Sequence, residues 1–234
     1  MRVIRGRAAS VDADRDATRR LLDEVAEAEN SGEAVEGVVR VWAPHRQVAF
    51  GRRDAREDGY DAAVQVAREH GYPPVERNVG GRAVAYDGET TLAFARITPI
   101  ADMRRGMDDR YEALTVDVQR ALGSLGVDAE RGEPPDSFCP GQHSLQCVGK
   151  LVGIAQRVTK GAAITSGVCT VANHESLAAV LTDVYDALSV PFDPDSVGSV
   201  ERAGGPSDPE VVRDALEAEL VGDAGMVVEH LREI

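Results

Sequence analysis

Lysine is nearly missing from this chain: its 26 basic residues are 24 arginines and two lysines, Lys150 and Lys160. Cysteine is also sparse. Three residues, Cys139, Cys147 and Cys169, with no CxxC spacing, exclude a disulfide framework and a cysteine-based zinc site. No apolar run approaches the roughly 18 residues that span a bilayer, and the opening MRVIRGRAAS has no apolar signal core, so a soluble, cytoplasmic protein with no membrane partner is expected. Basic residues are outnumbered by 40 acidic ones, for a formal charge of −14. Such a surface repels phosphate backbones and excludes general nucleic-acid binding, while leaving room for a local basic pocket that takes a small anion. What is present is a folding sequence. At 234 residues and 43% hydrophobic content, it suffices for one large domain or a domain with a small appendage.

Apolar positions Ala17, Leu21, Leu22, Val25 and Ala28 line one face of a helix over 14–30, ended by Ser31-Gly32. Residues 38–42 and 47–50 are strand-like and joined by Pro44-His45-Arg46, which reads as a hairpin. Further helices are expected over 60–70, 109–125, 175–188 and 211–220. Strands are expected over 83–86, 91–97, 144–148, 151–158 and 162–171, the last three turning at Gly149-Lys150 and Lys160-Gly161. Hairpins interrupted by helices favour an α+β fold with mixed or antiparallel sheets over a doubly wound parallel sheet. The Gly/Pro/Ser stretch over 198–209 divides the chain into a main domain, residues 1–200, and a linker with a C-terminal helical extension, 201–234.

The first segment able to carry chemistry is Arg77-Asn78-Val79-Gly80-Gly81-Arg82-Ala83-Val84-Ala85-Tyr86-Asp87. Two glycines permit positive φ and let the backbone approach a ligand, and flanking guanidinium groups can pair with carboxylate or phosphate oxygens. A tight turn feeding a strand, with its arginines solvated, accounts for the same residues. The runs Val39-Arg40-Val41-Trp42-Ala43-Pro44 and Val48-Ala49-Phe50-Gly51-Arg52, followed by this segment, resemble the lipoate–protein ligase and octanoyltransferase family. That family shares its catalytic domain with biotin–protein ligases. Val148-Gly149-Lys150-Leu151-Val152-Gly153-Ile154-Ala155-Gln156-Arg157 is similar to the family's second motif, in the right order.

The resemblance implies a substrate-binding set of Arg77, Gly80, Gly81, Arg82, Ala83, Val84, Gly153 and Ala155, and makes Lys150 the catalytic lysine. The composition adds weight, because an ammonium kept where arginine is otherwise used marks a place a planar guanidinium would not serve. Its implied role is to bind the acyl carbonyl, and the α-phosphate of an adenylate, as the acceptor lysine attacks. The alternative is a plain turn lysine. Lys160 reads as a surface residue. The family divides into ligases, which use lipoate with ATP and Mg²⁺, and transferases, which carry octanoyl from acyl carrier protein on a cysteine.

Cys139 lies 11 residues before Lys150, a few residues nearer than one transferase branch places its nucleophile. It is either that nucleophile or an ordinary loop residue. His143 is close enough in sequence to serve as its base. Cys147 and Cys169 read as packed residues. His45, His70, His174 and His230 lack ligand spacing, and Asp193-Pro194-Asp195 reads as a helix cap, so no protein metal site is expected. Arg82 in place of a third glycine and Tyr86 in place of a histidine depart from the free-lipoate ligases.

The leading expectation is a lipoate–protein ligase-like enzyme that places lipoyl or octanoyl groups on an acceptor lysine. The acceptor is a lipoyl domain of a 2-oxoacid dehydrogenase or the glycine-cleavage H protein. Cysteine-dependent octanoyl transfer from acyl carrier protein comes second and biotin ligation third; a non-catalytic lipoate-binding protein is the rival outside catalysis. The short stretch after Gly198 implies either action without an accessory domain or a separate accessory-domain chain.

Overall fold

The computed structural model describes residues 1–77 and 80–231. In chain order these carry β1 (Arg2–Arg5), α1 (Val11–Ser31), β2 (Val38–Trp42), β3 (Gln47–Phe50), α2 (Tyr60–Glu69), β4 (Pro74–Glu76), β5 (Val84–Tyr86) and β6 (Thr91–Ile100). There follow α3 (Met107–Ser124), β7 (Glu130–Arg131), β8 (Ser144–Gln146), β9 (Lys150–Thr159), β10 (Gly161–Thr170), α4 (His174–Ala187), α5 (Pro209–Val221) and β11 (Val227–His230). Eight strands form one mixed sheet in the order β11-β1-β2-β6-β10-β9-β8-β7, and three form a second, β4-β3-β5. The fold is α+β, as the order of sequence elements predicts.

Local chemistry explains the helix ends. The Ser10 side chain accepts from the Ala13 N–H at the start of α1, Asp12 and Asp14 lie in its first turn, and Gly32 ends it in the left-handed region at φ 76°. Asp208 caps α5 ahead of Pro209. Of the stripe predicted from 17 to 28, Ala17, Leu21, Leu22 and Val25 are buried and meet Val38, Ala95, Ile97 and Ala162 on one face of the large sheet, while Ala28 is half-buried and Ala26 joins the core instead. The other face packs Val39, Val41, Phe94 and Val152 against α3 and α5, through Leu114, Val118, Val212 and Leu216. Burying each such aliphatic side chain contributes about 1.5–3 kcal/mol. Consecutive residues of β2 thus serve opposite layers, which is why the strand reads as a continuous apolar run. Its one charged residue, Arg40, is buried toward α1 and bonds Asp14 Oδ1 at 2.6 Å.

A third core holds the small sheet to α2 and α4, with Phe50, Ala63, Ala85, Leu177, Val180 and Tyr185 in contact. Here the hairpin expected for 38–42 and 47–50 is not formed. β2 has both edges occupied, by β1 in parallel and β6 antiparallel, so β3 pairs with β4 and β5 in the other sheet. Ala43–Arg46 therefore carries the chain between sheets, and the turn after β5 carries it back. The two crossings touch where Arg46 Nε donates to the Asp87 carbonyl at 3.0 Å. The Asp87 carboxylate organises the second crossing by accepting the N–H groups of Glu89, Thr90 and Thr91, the Thr90 hydroxyl and the Asn173 amide.

Candidate active site

The two sequence motifs meet where the small sheet abuts β9 and β10. Gly81 has φ 90°, and a β-carbon there would stand 2.8 Å from Cys139 Sγ. This position needs glycine for its backbone angle and for the space the thiol occupies. Just beyond it, the Arg82 N–H donates to Cys139 Sγ at 3.3 Å, and Arg77 Nη2 lies 3.8 Å from the same atom. Arg77 also donates to the Arg82 carbonyl at 2.6 Å, bracing the turn. Its Nε is buried without a hydrogen-bond acceptor among the described residues. Asn78 and Val79 lie outside the described residues.

The turn is held from beneath. Gly51 packs so closely under it that a β-carbon at Gly51 would overlap the Gly81 carbonyl. The Gly51 N–H donates to Asp54 Oδ2 at 2.8 Å, and Arg82 Nη1 bonds Asp54 Oδ1 at 3.4 Å and Glu57 Oε1 at 2.7 Å. Asp54 is fully buried, and that burial pushes its carboxyl up against the opposing pull of the Gly51 N–H and Arg82. Burial likewise pushes the Tyr86 hydroxyl up, with the Arg77 guanidinium opposing it.

Cys139 itself has φ 43°, in the left-handed region that an L residue with a side chain occupies only when its surroundings impose it. Both sides of its peptide are fixed. Its N–H donates to Tyr185 Oη at 2.7 Å, and that hydroxyl in turn donates to the Ala83 carbonyl at 3.0 Å. Its carbonyl accepts from Lys150 Nζ at 2.9 Å. Cys139 packs against an apolar core that includes Phe138, Ala83 and Val84, and the partly buried Val168 packs against the same core.

Lys150 opens β9 and is 2% exposed. Besides Cys139 it donates to the Phe138 carbonyl at 3.0 Å and to Glu133 Oε2 at 2.8 Å. Its backbone is fixed by the Gly198 N–H, which donates to the Lys150 carbonyl at 3.0 Å. Gly149, at φ 103°, and Gly198 make this possible, since a β-carbon on Gly149 would stand 2.6 Å from the Gly198 nitrogen.

The structure thus brings Arg77, Gly81, Arg82, Ala83, Cys139 and Lys150 into one cluster. Val84 is buried behind it, and a β-carbon on Gly153 would come within 3.7 Å of Lys150 Cε. Gly80 is exposed beside the turn, and Ala155 is exposed further along β9. His143 is turned elsewhere: its ring stacks on Tyr111 at 3.7 Å, and the groups that face Sγ are the Arg82 N–H and the Arg77 guanidinium. Cys169 is fully buried, which pushes its thiol up to about 12, and Asp193 caps the short turn Pro194–Ser196 as the sequence predicts. Sequence reading missed Asp54, Glu57, Glu133 and Tyr185. The Gly51-x-x-Asp54 spacing, an acceptor three residues after a glycine, is a usable signal for one of them.

Among the described residues, no group of three His, Cys, Asp or Glu side chains is placed to hold a metal ion, and no helix is long and apolar enough to cross a membrane. A thiol faced by a backbone N–H and the Arg77 guanidinium, on a loop held by a buried ammonium, is suited to acyl chemistry, in which negative charge passes between sulfur and a carbonyl oxygen.

Comparison with known proteins agrees. An octanoyl-[GcvH]:protein N-octanoyltransferase of Exiguobacterium sibiricum is 34% identical over 159 residues, covering 66% of this chain and 57% of the relative. One of the same name from Geobacillus kaustophilus is 32% identical over 64% of this chain and 54% of its own length. The chain therefore spans little more than half the length of these curated relatives. In fold it is similar to a crystal structure of lipoate-protein ligase A bound with ATP, with TM-score 0.73 and 19% identity over 97% of this chain and 89% of the other. The family model for the lipoyl protein ligase A/B catalytic domain matches residues 16–221, and the chain belongs to that family.

Proposed function

We propose that this chain moves a lipoyl-type acyl group, octanoyl or lipoyl, onto a lysine of an acceptor domain by way of a thioester on Cys139. The observation that carries this reading is the thiol's setting: Sγ faces the Arg82 N–H and Arg77, and its peptide is pinned by Tyr185 and Lys150. A left-handed backbone at φ 43°, held on both sides, is the kind of local strain that a site uses to aim a reacting group. The relatives' name supplies the donor, an octanoyl group carried on GcvH, and a protein acceptor.

Two steps follow. The Cys139 thiolate attacks the donor's acyl carbonyl, the C–N bond to the donor lysine breaks, and the departing amine takes a proton. A neutral acceptor lysine then attacks the thioester carbonyl, loses a proton and expels the thiolate. One amide is exchanged for another, so the route needs no ATP. Arg77 and the Arg82 N–H face the sulfur and so supply donors for the charge that develops in both steps. The apolar core beside Cys139, with Phe138, Ala83 and Val84 and the partly buried Val168, is in keeping with an alkyl substrate.

The ligase reading, from free lipoate and ATP, is supported by the likeness in fold and by Lys150. One assay separates them. An apo lipoyl domain is incubated with the chain and either octanoyl-GcvH, octanoyl-acyl carrier protein, or lipoate plus ATP and Mg²⁺, and acceptor mass is followed. Product from an acylated carrier, lost in Cys139→Ser, is expected. Product from lipoate plus ATP alone, unchanged in Cys139→Ser, would overturn the thioester route.

A further inference from the structure

The carboxylate least foreseen from the sequence is the one that ties the reactive loop together. Glu133 Oε1 accepts from the Gly141 N–H at 2.9 Å, while Oε2 accepts from Ser144 Oγ at 3.0 Å and Lys150 Nζ at 2.8 Å. It is the ion-pair partner of a nearly fully buried ammonium, and its own side chain is 19% exposed. Pro134 and Pro135 follow it, and their fixed φ angles make a stiff link between this anchor and Ser137-Phe138-Cys139. One carboxylate thus fastens the loop at 141, at 144 and at the lysine that grips the Phe138 and Cys139 carbonyls.

We infer that Glu133 is a positioning residue for Cys139, acting through Lys150. An ammonium has three protons, and here each has an acceptor: one on Glu133 and one on each of the two peptide carbonyls. Charge fixes which contact is strongest. The carboxylate holds the nitrogen in place, and the nitrogen holds the Cys139 peptide in its left-handed setting. Without the carboxylate a buried charge loses its counter-ion, and the grip on Cys139 goes with it. To reach an acyl oxygen, the ammonium has to release one peptide carbonyl and turn about the Glu133 contact. Glu133 does not touch sulfur or acyl group, so its effect is on where the thiol points.

This inference rests on Cys139 being the reacting group, and its test needs no acyl donor. Iodoacetamide labelling of the full chain, resolved by peptide mass, reports Cys139 and uses the half-buried Cys147 as internal reference. Glu133→Gln, which keeps the shape and removes the charge, is expected to slow Cys139 labelling about tenfold and to leave Cys147 within about twofold. Glu133→Asp, which keeps the charge on a shorter arm, is expected to slow Cys139 labelling only about two- to threefold and to leave Cys147 at the parent rate. Cys139 labelling within about twofold of the parent in Glu133→Gln would overturn the inference, as would Cys139 and Cys147 slowing together. Should Glu133→Gln fail to fold, Glu133→Asp carries the test, slowed labelling of Cys139 alone supporting the inference and unchanged labelling overturning it. Acyl transfer surviving Cys139→Ser sinks the thioester route and leaves this readout intact, so the two failures are distinguishable.

Discussion

Gly81 shows how a single residue can be needed twice over. Its φ of 90° excludes a side chain on conformational grounds, and the space a methyl would fill already holds Cys139 Sγ at 2.8 Å. Gly81→Ala is therefore expected to cost about 1 kcal/mol in stability from backbone strain, measurable by urea denaturation. Because the methyl also displaces the thiol from the Arg82 N–H, acyl transfer should fall far more, by about 10²-fold. A variant that loses stability and keeps full transfer would show that the contact with sulfur has no role. At this scale the sequence is informative where the chemistry is tied to a short run. Gly80-Gly81-Arg82 and Lys150 stand in ordered motifs, and the scarcity of lysine adds weight to Lys150. Glu133 is one of 40 acidic residues in the chain, and nothing in its neighbours marks the distant lysine it binds.

Helix α4 packs under the small sheet through Leu177, Val180, Leu181 and Val184, and this places Tyr185 below the Cys139 loop. Burial pushes the Tyr185 hydroxyl far above its ordinary value, so it stays neutral and bridges the Ala83 carbonyl and the Cys139 N–H. Tyr185→Phe keeps the packing and strands both groups. About 1–3 kcal/mol of stability should be lost in denaturant titration, with slower labelling of Cys139. Labelling at the parent rate would place the orientation of the loop with Lys150 alone. Helices are the most legible elements, because caps and 3.6-residue periodicity are local: α1, α3 and α5 differ from expectation only at their ends. Strand partners are legible only where a tight turn joins them, as in β8, β9 and β10, which pair antiparallel in chain order as their turns imply. β2 and β3 have the composition and spacing of a hairpin, and only the competition of β1 and β6 for the edges of β2 sends β3 to the other sheet. β1, β4, β7 and β11 are not expected from the sequence, although β3, β5 and β8, which are as short as most of them, are.

Across the whole molecule the two sheets are joined by the paired crossings at Arg46 and Asp87. Burial alone would push the Asp87 carboxyl up, but hydrogen bonds from Thr90, the Glu89 N–H and Asn173 outweigh it and hold the group below its ordinary range. A carboxyl that is more acidic when folded adds stability above its unfolded pKa, about 3.9, and loses it as pH falls through the lower folded value. Asp87→Asn should therefore be less stable than the parent by about 1–3 kcal/mol at neutral pH. The gap should hold down to about pH 5 and close below about pH 4, as urea titrations at stepped pH would show. A gap that widens in acid would contradict the assignment. The net charge of −14 tells nothing of this crossing or of the cluster of Arg77, Arg82 and Lys150, because charge balance is a sum and the site depends on placement.

Lys150 is anchored by Gly198 and Cys139 by Tyr185, and both anchors lie later in the chain than the residues they hold. Synthesis runs from the N-terminus, and a domain folds as a unit once enough of it has emerged. A nascent chain that has passed Cys139 but not yet reached α4 and Gly198 carries the thiol on a loop without its clamps. The Cys139 loop is thus fixed late, after α4 and Gly198 have emerged, although Cys139 itself comes well before them in the chain.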